Sequence, residues 1–297
     1  MMQTSDLCGT WLLQRVLATG ILLSAATATL GQEARFLEPA DATVALGERV
    51  SLAFVATDVA QEWAGLGVAY FFARTAWTQE NRDTVSVAAD SGGLAAAWVA
   101  GEPGVLLLGV DLAARIDTVS AESFAAFVRR VLPESRRGDF VGLLESGRAE
   151  GTVAVRRVES GKALVRVEAG GSDPVSIATS KTGQAVEIRP LMDPTVIELG
   201  SDLAVRVYSR VPGPSDGVVI ATNTTTGEVV RAPTNETSLA IIPIERAGKW
   251  RLEFHAVDVA AAGLGGDGEG EHADWIVHTA TLTFVVPVAA SDEEVAR

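Results

Sequence analysis

Cysteine is almost absent from this 297-residue chain: Cys8 is the only one. It stands ahead of a short apolar run near the N-terminus, not at the position where a lipid anchor would be attached. Once that segment is removed, the chain has no disulfide framework, no thiolate nucleophile and no thiolate metal site. Histidine is nearly as scarce. The three histidines, His255, His272 and His278, all fall between Gly248 and Pro287. The sequence contains no Gly-x-Ser-x-Gly elbow, no His-Glu-x-x-His and no P-loop. Ser/His/Asp sets can be assembled on paper, but nothing selects one, and the expectation is a protein that is not an enzyme. Beyond the N-terminal run, no apolar stretch is long and uninterrupted enough to span a bilayer. Basic residues are the minority, 24 against 38 acidic, leaving a net charge of −14. That balance disfavours nucleic acid and anionic membranes and mildly favours cationic partners, metal ions included. Solubility alone also accounts for it.

What is present begins with a leader. Arg15 supplies a positive start, Val16 to Ala28 is apolar and rich in Leu and Ala, and Ala26, Ala28 and Gly31 suit a signal peptidase. The alternative is a membrane anchor, but roughly 13 apolar residues fall short of the ~20 a span needs. Residues 1–31 are therefore expected to be a cleaved signal peptide. The mature protein is expected in a bacterial periplasm or the outside medium, with no stable membrane span.

Hydrophobic residues make up 47% of the chain, enough for packed cores. Arg49 to Ala56 alternates apolar and polar with the period of a half-buried strand. Further strands are expected at 67–73, 84–89, 94–100 and 105–112, separated by Ser91-Gly92-Gly93 and Gly101-Glu102-Pro103-Gly104. Phe124, Phe127, Val128, Val131 and Leu132 then recur at helical spacing, with Ser120 as N-cap and Pro133 as stop. A second short helix is expected over 139–146. Two strands follow, 152–158 and 163–168, joined through a turn at Ser160-Gly161. At Thr182-Gly183 the chain restarts with seven short strands and no intervening helix: 185–189, 203–208, 217–222, 228–232, 238–244, 250–257 and 275–286. The expected fold is mainly β, with two β-sandwich domains. An N-terminal β-rich domain (32–181) carries one or two short helices. The C-terminal domain (182–288) is an immunoglobulin-like or transthyretin-like sandwich, and 289–297 is a flexible tail.

Chemistry, if present, is expected where the histidines are. In the strand from Trp250, alternation puts Trp250, Leu252, Phe254 and Ala256 on the core face and turns Arg251, Glu253 and His255 the other way. His272 sits in a loop with Glu271 and Asp274, an N/O donor set that suits nickel, cobalt, zinc or copper. A hairpin between the flanking strands would let His255, His272 and Asp274 converge. His278 alternates with Ile276, Ala280, Leu282 and Phe284 and reads as a satisfied core histidine. The glycine- and acid-rich 265–271 stretch lacks the ordered spacing of a calcium loop and reads as a solvated hairpin loop. Asn223-Thr224-Thr225 and Asn235-Glu236-Thr237 match the glycosylation sequon, but read as Asn/Thr-rich turns. Trp63, Trp77, Trp98, Trp250 and Trp275 are scattered over separate strands, which favours core packing over a sugar-binding face.

The order Phe-Leu-Glu-Pro (36–39), Gly47, Glu-Ile-Arg-Pro-Leu-Met-Asp-Pro (187–194), Leu199-Gly200, Gly248-Lys249-Trp250, His255, Ala-Asp-Trp (273–275) and Leu-Thr-Phe (282–284) carries a resemblance. It resembles a family of exported bacterial proteins of uncharacterised domain, labelled periplasmic components of a cobalt or nickel transport system. The resemblance spans nearly the whole mature chain. It implies a periplasmic, non-enzymatic β-sandwich protein that binds a divalent transition metal and delivers it to a membrane transporter. His255, Asp274 and Trp275 match family positions. Relatives begin the mature chain with a histidine, and here that position is Glu33. If that histidine is a ligand, a carboxylate has replaced it, and affinity for nickel or cobalt falls. The expected metal set is thus His255, His272, Asp274 and Glu33. The alternative is a structural or protein-interaction module of the cell envelope that binds no metal.

Overall fold

The computed structural model describes residues 34–56, 59–61, 67–76, 96–145, 151–168, 176–210, 217–260 and 273–288. In chain order these form β1 (Arg35–Pro39), β2 (Thr43–Ala45), β3 (Arg49–Ala56), β4 (Val59–Gln61), β5 (Val68–Arg74), β6 (Ala96–Val99), β7 (Gly104–Leu112) and β8 (Arg115–Ser120). Two helices follow, α1 (Ala121–Val131) and α2 (Glu134–Glu145), then β9 (Thr152–Glu168) and β10 (Val186–Pro190). The chain closes with β11 (Ser201–Ser209), β12 (Val218–Asn223), β13 (Val229–Pro233), β14 (Leu239–Ile244), β15 (Gly248–Val259) and β16 (Trp275–Val286). The protein is mainly β. The strand expected at 84–89 lies outside the described residues.

The spine is β9, a single strand of 17 residues where a turn at Ser160-Gly161 is expected from the sequence. One edge of β9 pairs in parallel with β16 and then β2. The other edge pairs antiparallel with β8 and then β7. Four partners hold the strand straight through the glycine. Gly161 serves close approach instead of a turn: a Cβ there would stand 3.2 Å from Thr281 Oγ1 and 3.3 Å from Val110 Cγ1. Glycine between hydrophobic runs has two readings, and only the neighbours decide between them.

The resulting nine-stranded sheet runs β13-β12-β15-β16-β9-β7-β5, with β2 and β8 added on β9. It continues across residues 181 and 182. In the C-terminal half, β10-β11-β14 stacks on the β13-β12-β15-β16 part of this sheet. Seven strands split three against four in this order are an immunoglobulin-like sandwich. Its core interleaves Ile188, Leu203, Val205 and Ile242 with Trp250, Leu252, Phe254, Leu282 and Phe284, and takes in Val105, Leu107 and Leu164 from the N-terminal half.

The opposite face of the large sheet is covered in two patches. Over β5, β7 and β9, the small sheet containing β1 and β3 packs Leu37, Val50, Leu52 and Phe54 onto Leu106, Leu108, Val110, Val165 and Val167. Over the start of β9 and β16, the helices pack Phe124, Val128, Val131, Phe140 and Leu144 onto Val155, Val257, Trp275 and Val277. Helix α1 begins as its sequence dictates, with the Ser120 hydroxyl accepting the Ser123 amide at 3.1 Å. Helix α2 starts at Glu134, earlier than the expected 139, because Pro133 ends one helix and its carbonyl immediately accepts the amides of Arg136 and Arg137 to begin the next.

The joint between the halves is polar and buried. Lys162 Nζ lies 3.3 Å from Glu187 Oε2, and both side chains are 1% exposed. The Thr182 amide and hydroxyl also donate to that carboxylate oxygen. Gln184 Nε2 donates to the Val110 and Gly161 carbonyls of β7 and β9. Burial opposes ionisation of Glu187 most strongly, yet the Lys162 charge and the Thr182 donors hold its pKa below the usual carboxylate value. Removing one partner strands a charge in the core, so Glu187→Ala is expected to cost about 3–5 kcal/mol of unfolding free energy. The double variant Lys162→Met/Glu187→Leu, which leaves no orphan charge, is expected to recover most of that loss in urea titrations. A loss of similar size in both variants would contradict this account of the joint.

Candidate functional site

His255 lies opposite Thr279 in the β15–β16 ladder, on the face away from Trp250, Leu252 and Phe254, as alternation requires. That face is not open to water. Phe127 of α1 meets the imidazole edge-on at 5.1 Å, and His255 is 1% exposed. Nε2 stands 3.1 Å from Glu253 Oε2 and Nδ1 3.0 Å from Thr279 Oγ1. An ionised carboxylate only accepts, so Nε2 carries the proton, and in the neutral ring Nδ1 accepts from the threonine hydroxyl. Both nitrogens that could ligate a metal are engaged. The accessible histidine expected from the sequence is a core residue because a helix covers its face of the sheet.

Asp274 is exposed and serves the fold. Its Oδ2 accepts the Ala154 amide at 2.9 Å, and its own amide donates to the Ala154 carbonyl at 2.8 Å, clamping β16 onto β9 at the start of their ladder. Its carbonyl pairs with Ala260, five residues beyond His255 on β15. At about 3.3 Å per residue this places the two backbones ~16 Å apart. The hairpin forms as expected and thereby separates the two residues along its length. His272 and Glu33 lie outside the described residues. Among the described residues no three His, Cys, Asp or Glu side chains gather where a single cation would sit. His278 is buried beside the C-terminal core, 6% exposed, and its Nδ1 has no hydrogen-bond partner among the described residues. Trp250 and Trp275 are core residues at 0% and 6% exposure, whereas Trp63 and Trp77 lie outside the described residues. Asn223 is fully buried and ties its own turn through Thr225, Thr226 and Ala247; Asn235 is exposed.

Around His255 lies a constellation that sequence reading missed. Between the two apolar patches on this face runs a band of charged side chains. Arg35 and Arg115 both reach Glu159 Oε2, at 3.2 and 2.8 Å. Arg115 and Arg157 share Asp117, at 3.1 and 2.7 Å. Glu38 of β1 holds Lys249 at 3.1 Å and Arg251 on β15. Glu253 takes Arg130 of α1 at 2.7 Å as well as His255. The Thr281 hydroxyl donates to the Arg35 carbonyl at 2.9 Å. The signal lay in the alternation itself: Val153, Val155, Arg157 and Glu159 occupy one face of β9, so charge follows hydrophobe on a face that must be covered. Band residues such as Arg157, Glu159, Glu253 and His255 are almost wholly buried, and carboxylates alternate with guanidinium groups. This arrangement docks β1 and α1 in fixed register on the large sheet.

Two of these groups predict how stability depends on pH. Burial opposes ionisation of Glu253, but the His255 hydrogen bond and charge and the Arg130 guanidinium overcome it and lower its pKa to about 2. A lowered carboxylate contributes its stabilisation fully above about pH 4.3, where the unfolded chain is ionised, and loses it as pH falls towards 2. Burial, aided by the charge of Arg156, lowers the pKa of His278 from its ordinary 6.5. The folded state therefore resists protonating it, and stability declines as pH falls below about 6.5. In urea unfolding across a pH series, Glu253→Gln is expected to flatten the profile below about pH 4.3. His278→Gln is expected to flatten it just below about pH 6.5. Slopes that match the unsubstituted protein would rule these groups out as the source.

No family model matches the chain, and no curated protein matches it. Among solved structures it is similar to the crystal structure of a mouse coronavirus receptor-binding domain complexed with its murine receptor, at 11% identity and a TM-score of 0.21, covering 86% of this chain and 99% of that one. It is also similar to murine CEACAM1b, at 8% identity and a TM-score of 0.19, covering 85% of this chain and 98% of that one. At these values neither likeness bears on fold or function.

Proposed function

We propose that this protein is a non-enzymatic interaction module of the cell envelope, exported through its N-terminal leader, that docks a protein partner through the apolar loop at residues 191–199. The observation that carries this reading is the build of that loop. Asp193 Oδ1 accepts the Thr195 amide and hydroxyl, each at 2.8 Å, and closes a 3-10 turn at Pro194–Val196. Pro194, Thr195 and Ile197 are buried and anchor the loop. Leu191, Met192, Val196 and Leu199 face outward at 38, 43, 51 and 43% exposure. Leu191 continues β10 beside Ala204, and Ala204 pairs with Ile241, itself 46% exposed, so one apolar row crosses the outer face of the three-stranded sheet between Asp202 and Arg206. Apolar side chains held out from an anchored loop are the composition of a contact surface. A protein fits better than an anionic bilayer, which a chain of net charge −14 would repel.

The expectation of nickel or cobalt delivery finds less support. His255 is spent on Glu253 and Thr279, and Asp274 on the β9 backbone. No helix among the described residues is long and apolar enough to cross a membrane.

The test pairs capture with titration. Val196→Asp/Leu199→Asp is expected to keep the unfolding midpoint, because both positions are exposed, and to lose a cross-linked envelope partner that the unsubstituted protein retains. Equal capture by both proteins would overturn the docking surface. Nickel or cobalt binding that is abolished by His255→Ala in a folded variant would overturn the reading itself in favour of metal delivery.

A further inference from the structure

The outer face of the three-stranded sheet sets like charges against each other. Arg189 of β10 and Arg206 of β11 are direct partners in the ladder, a pairing that destabilises two strands when nothing intervenes. Here one neutral oxygen intervenes. Arg189 Nη1 donates to the Tyr208 hydroxyl at 3.2 Å, and Arg206 donates to the same oxygen. Tyr208 stands two residues from Arg206 on β11 and so shares its face. A third cation closes the cluster, with Lys181 Nζ 4.0 Å from the centroid of the Tyr208 ring. Lys181 is exposed, and Arg74 pins its segment by donating to its carbonyl at 3.2 Å.

The carboxylates nearest in the ladder do not neutralise it. Glu187 lies opposite Tyr208, but its charge is met by Lys162 and the Thr182 donors. Asp202 is four residues from Arg206, ~13 Å along the strand. Among the described residues Lys181, Arg189 and Arg206 form no ion pair, and the buried Arg206 Nε has no hydrogen-bond partner. Arg189 spends its Nε on the Thr179 carbonyl, so each guanidinium keeps further donors of its five. Burial opposes ionisation of Tyr208, yet the hydrogen bonds and charges of Arg206 and Arg189 lower its pKa from the ordinary 10. Two guanidinium forks beside an ammonium suit a carboxylate, which accepts two parallel hydrogen bonds from a fork. The pair of arginines forms the row next to Leu191, Ala204 and Ile241, about 7 Å along the strands.

We propose that Lys181, Arg189 and Arg206 form a carboxylate-binding site that takes an acidic side chain of the protein docking on the apolar loop. The partner's part in this rests on the docking reading above, whereas the carboxylate site stands without it. A net charge of −14 repels acidic proteins at a distance, so the cluster selects only a partner whose carboxylate meets it at contact.

Phenolate absorbance of the intact mature protein, in citrate and in sodium chloride of matched ionic strength, tests the site. The chain has two tyrosines, Tyr70 and Tyr208, and Tyr208→Phe assigns the signal. Citrate is expected to raise the Tyr208 midpoint by about one pH unit beyond chloride, because a bound carboxylate opposes a phenolate. Arg189→Gln/Arg206→Gln is expected to remove that response. Lys181→Glu, at an exposed position with both arginines intact, puts a carboxylate into the cluster. It is expected to raise the midpoint without citrate and to abolish the response to it. In calorimetric titration, a peptide alternating leucine with glutamate is expected to bind about tenfold or more tightly than its glutamine counterpart. Val196→Asp/Leu199→Asp is expected to weaken the glutamate peptide and leave the citrate response intact. No shift beyond chloride, or a full response in folded Lys181→Glu, would overturn the carboxylate site. Equal affinity for the two peptides would overturn the acidic partner. Glutamate-peptide binding that ignores Val196→Asp/Leu199→Asp would overturn the docking loop and leave the carboxylate site standing.

Discussion

The parallel ladder between β9 and β16 is the constraint on which the rest of the structure depends. It joins residues 155–163 to 275–283, elements more than a hundred positions apart, and makes one sheet of two halves. A parallel pair at the centre of a wide sheet needs cover on both faces. Here the three-stranded sheet supplies it on one side, and β1, β3 and the two helices supply it on the other. Asp274 starts the ladder by clamping Ala154, and Gly161 lets β9 and β16 approach at its far end.

Cover on the second face comes from two sources that leave a gap between them, and charge fills the gap. Carboxylates from β1, β8, β9 and β15 meet guanidinium groups from β1, β8, α1, β9 and β15. Such a band adds little to stability relative to an apolar filling, but it penalises any register that leaves a charge unpaired. The cation placed at one strand position must find the anion placed on another. That requirement offers a physical reason for a buried histidine and several buried arginines.

Sequence periodicity located most of the strands and α1. It also placed His255 on the correct face of β15, with Trp250, Leu252 and Phe254 opposite. What periodicity does not carry is what lies above a face. Phe127 is 128 residues from His255, so nothing local distinguishes a histidine facing water from one facing a phenylalanine ring. Ser160-Gly161 failed for the same reason. A glycine that permits a turn and one that permits close packing look alike until Thr281 and Val110 are in place.

By itself, then, the sequence determined the secondary structure of most elements, the near absence of thiol chemistry and the acidic balance, because these follow from local sterics and composition. Tertiary structure alone decided that His255 is buried, which charges pair, that β9 runs unbroken, and where apolar surface remains exposed. The reason is that burial and pairing are properties of residues brought together from distant parts of the chain, and no local pattern records who the neighbour will be.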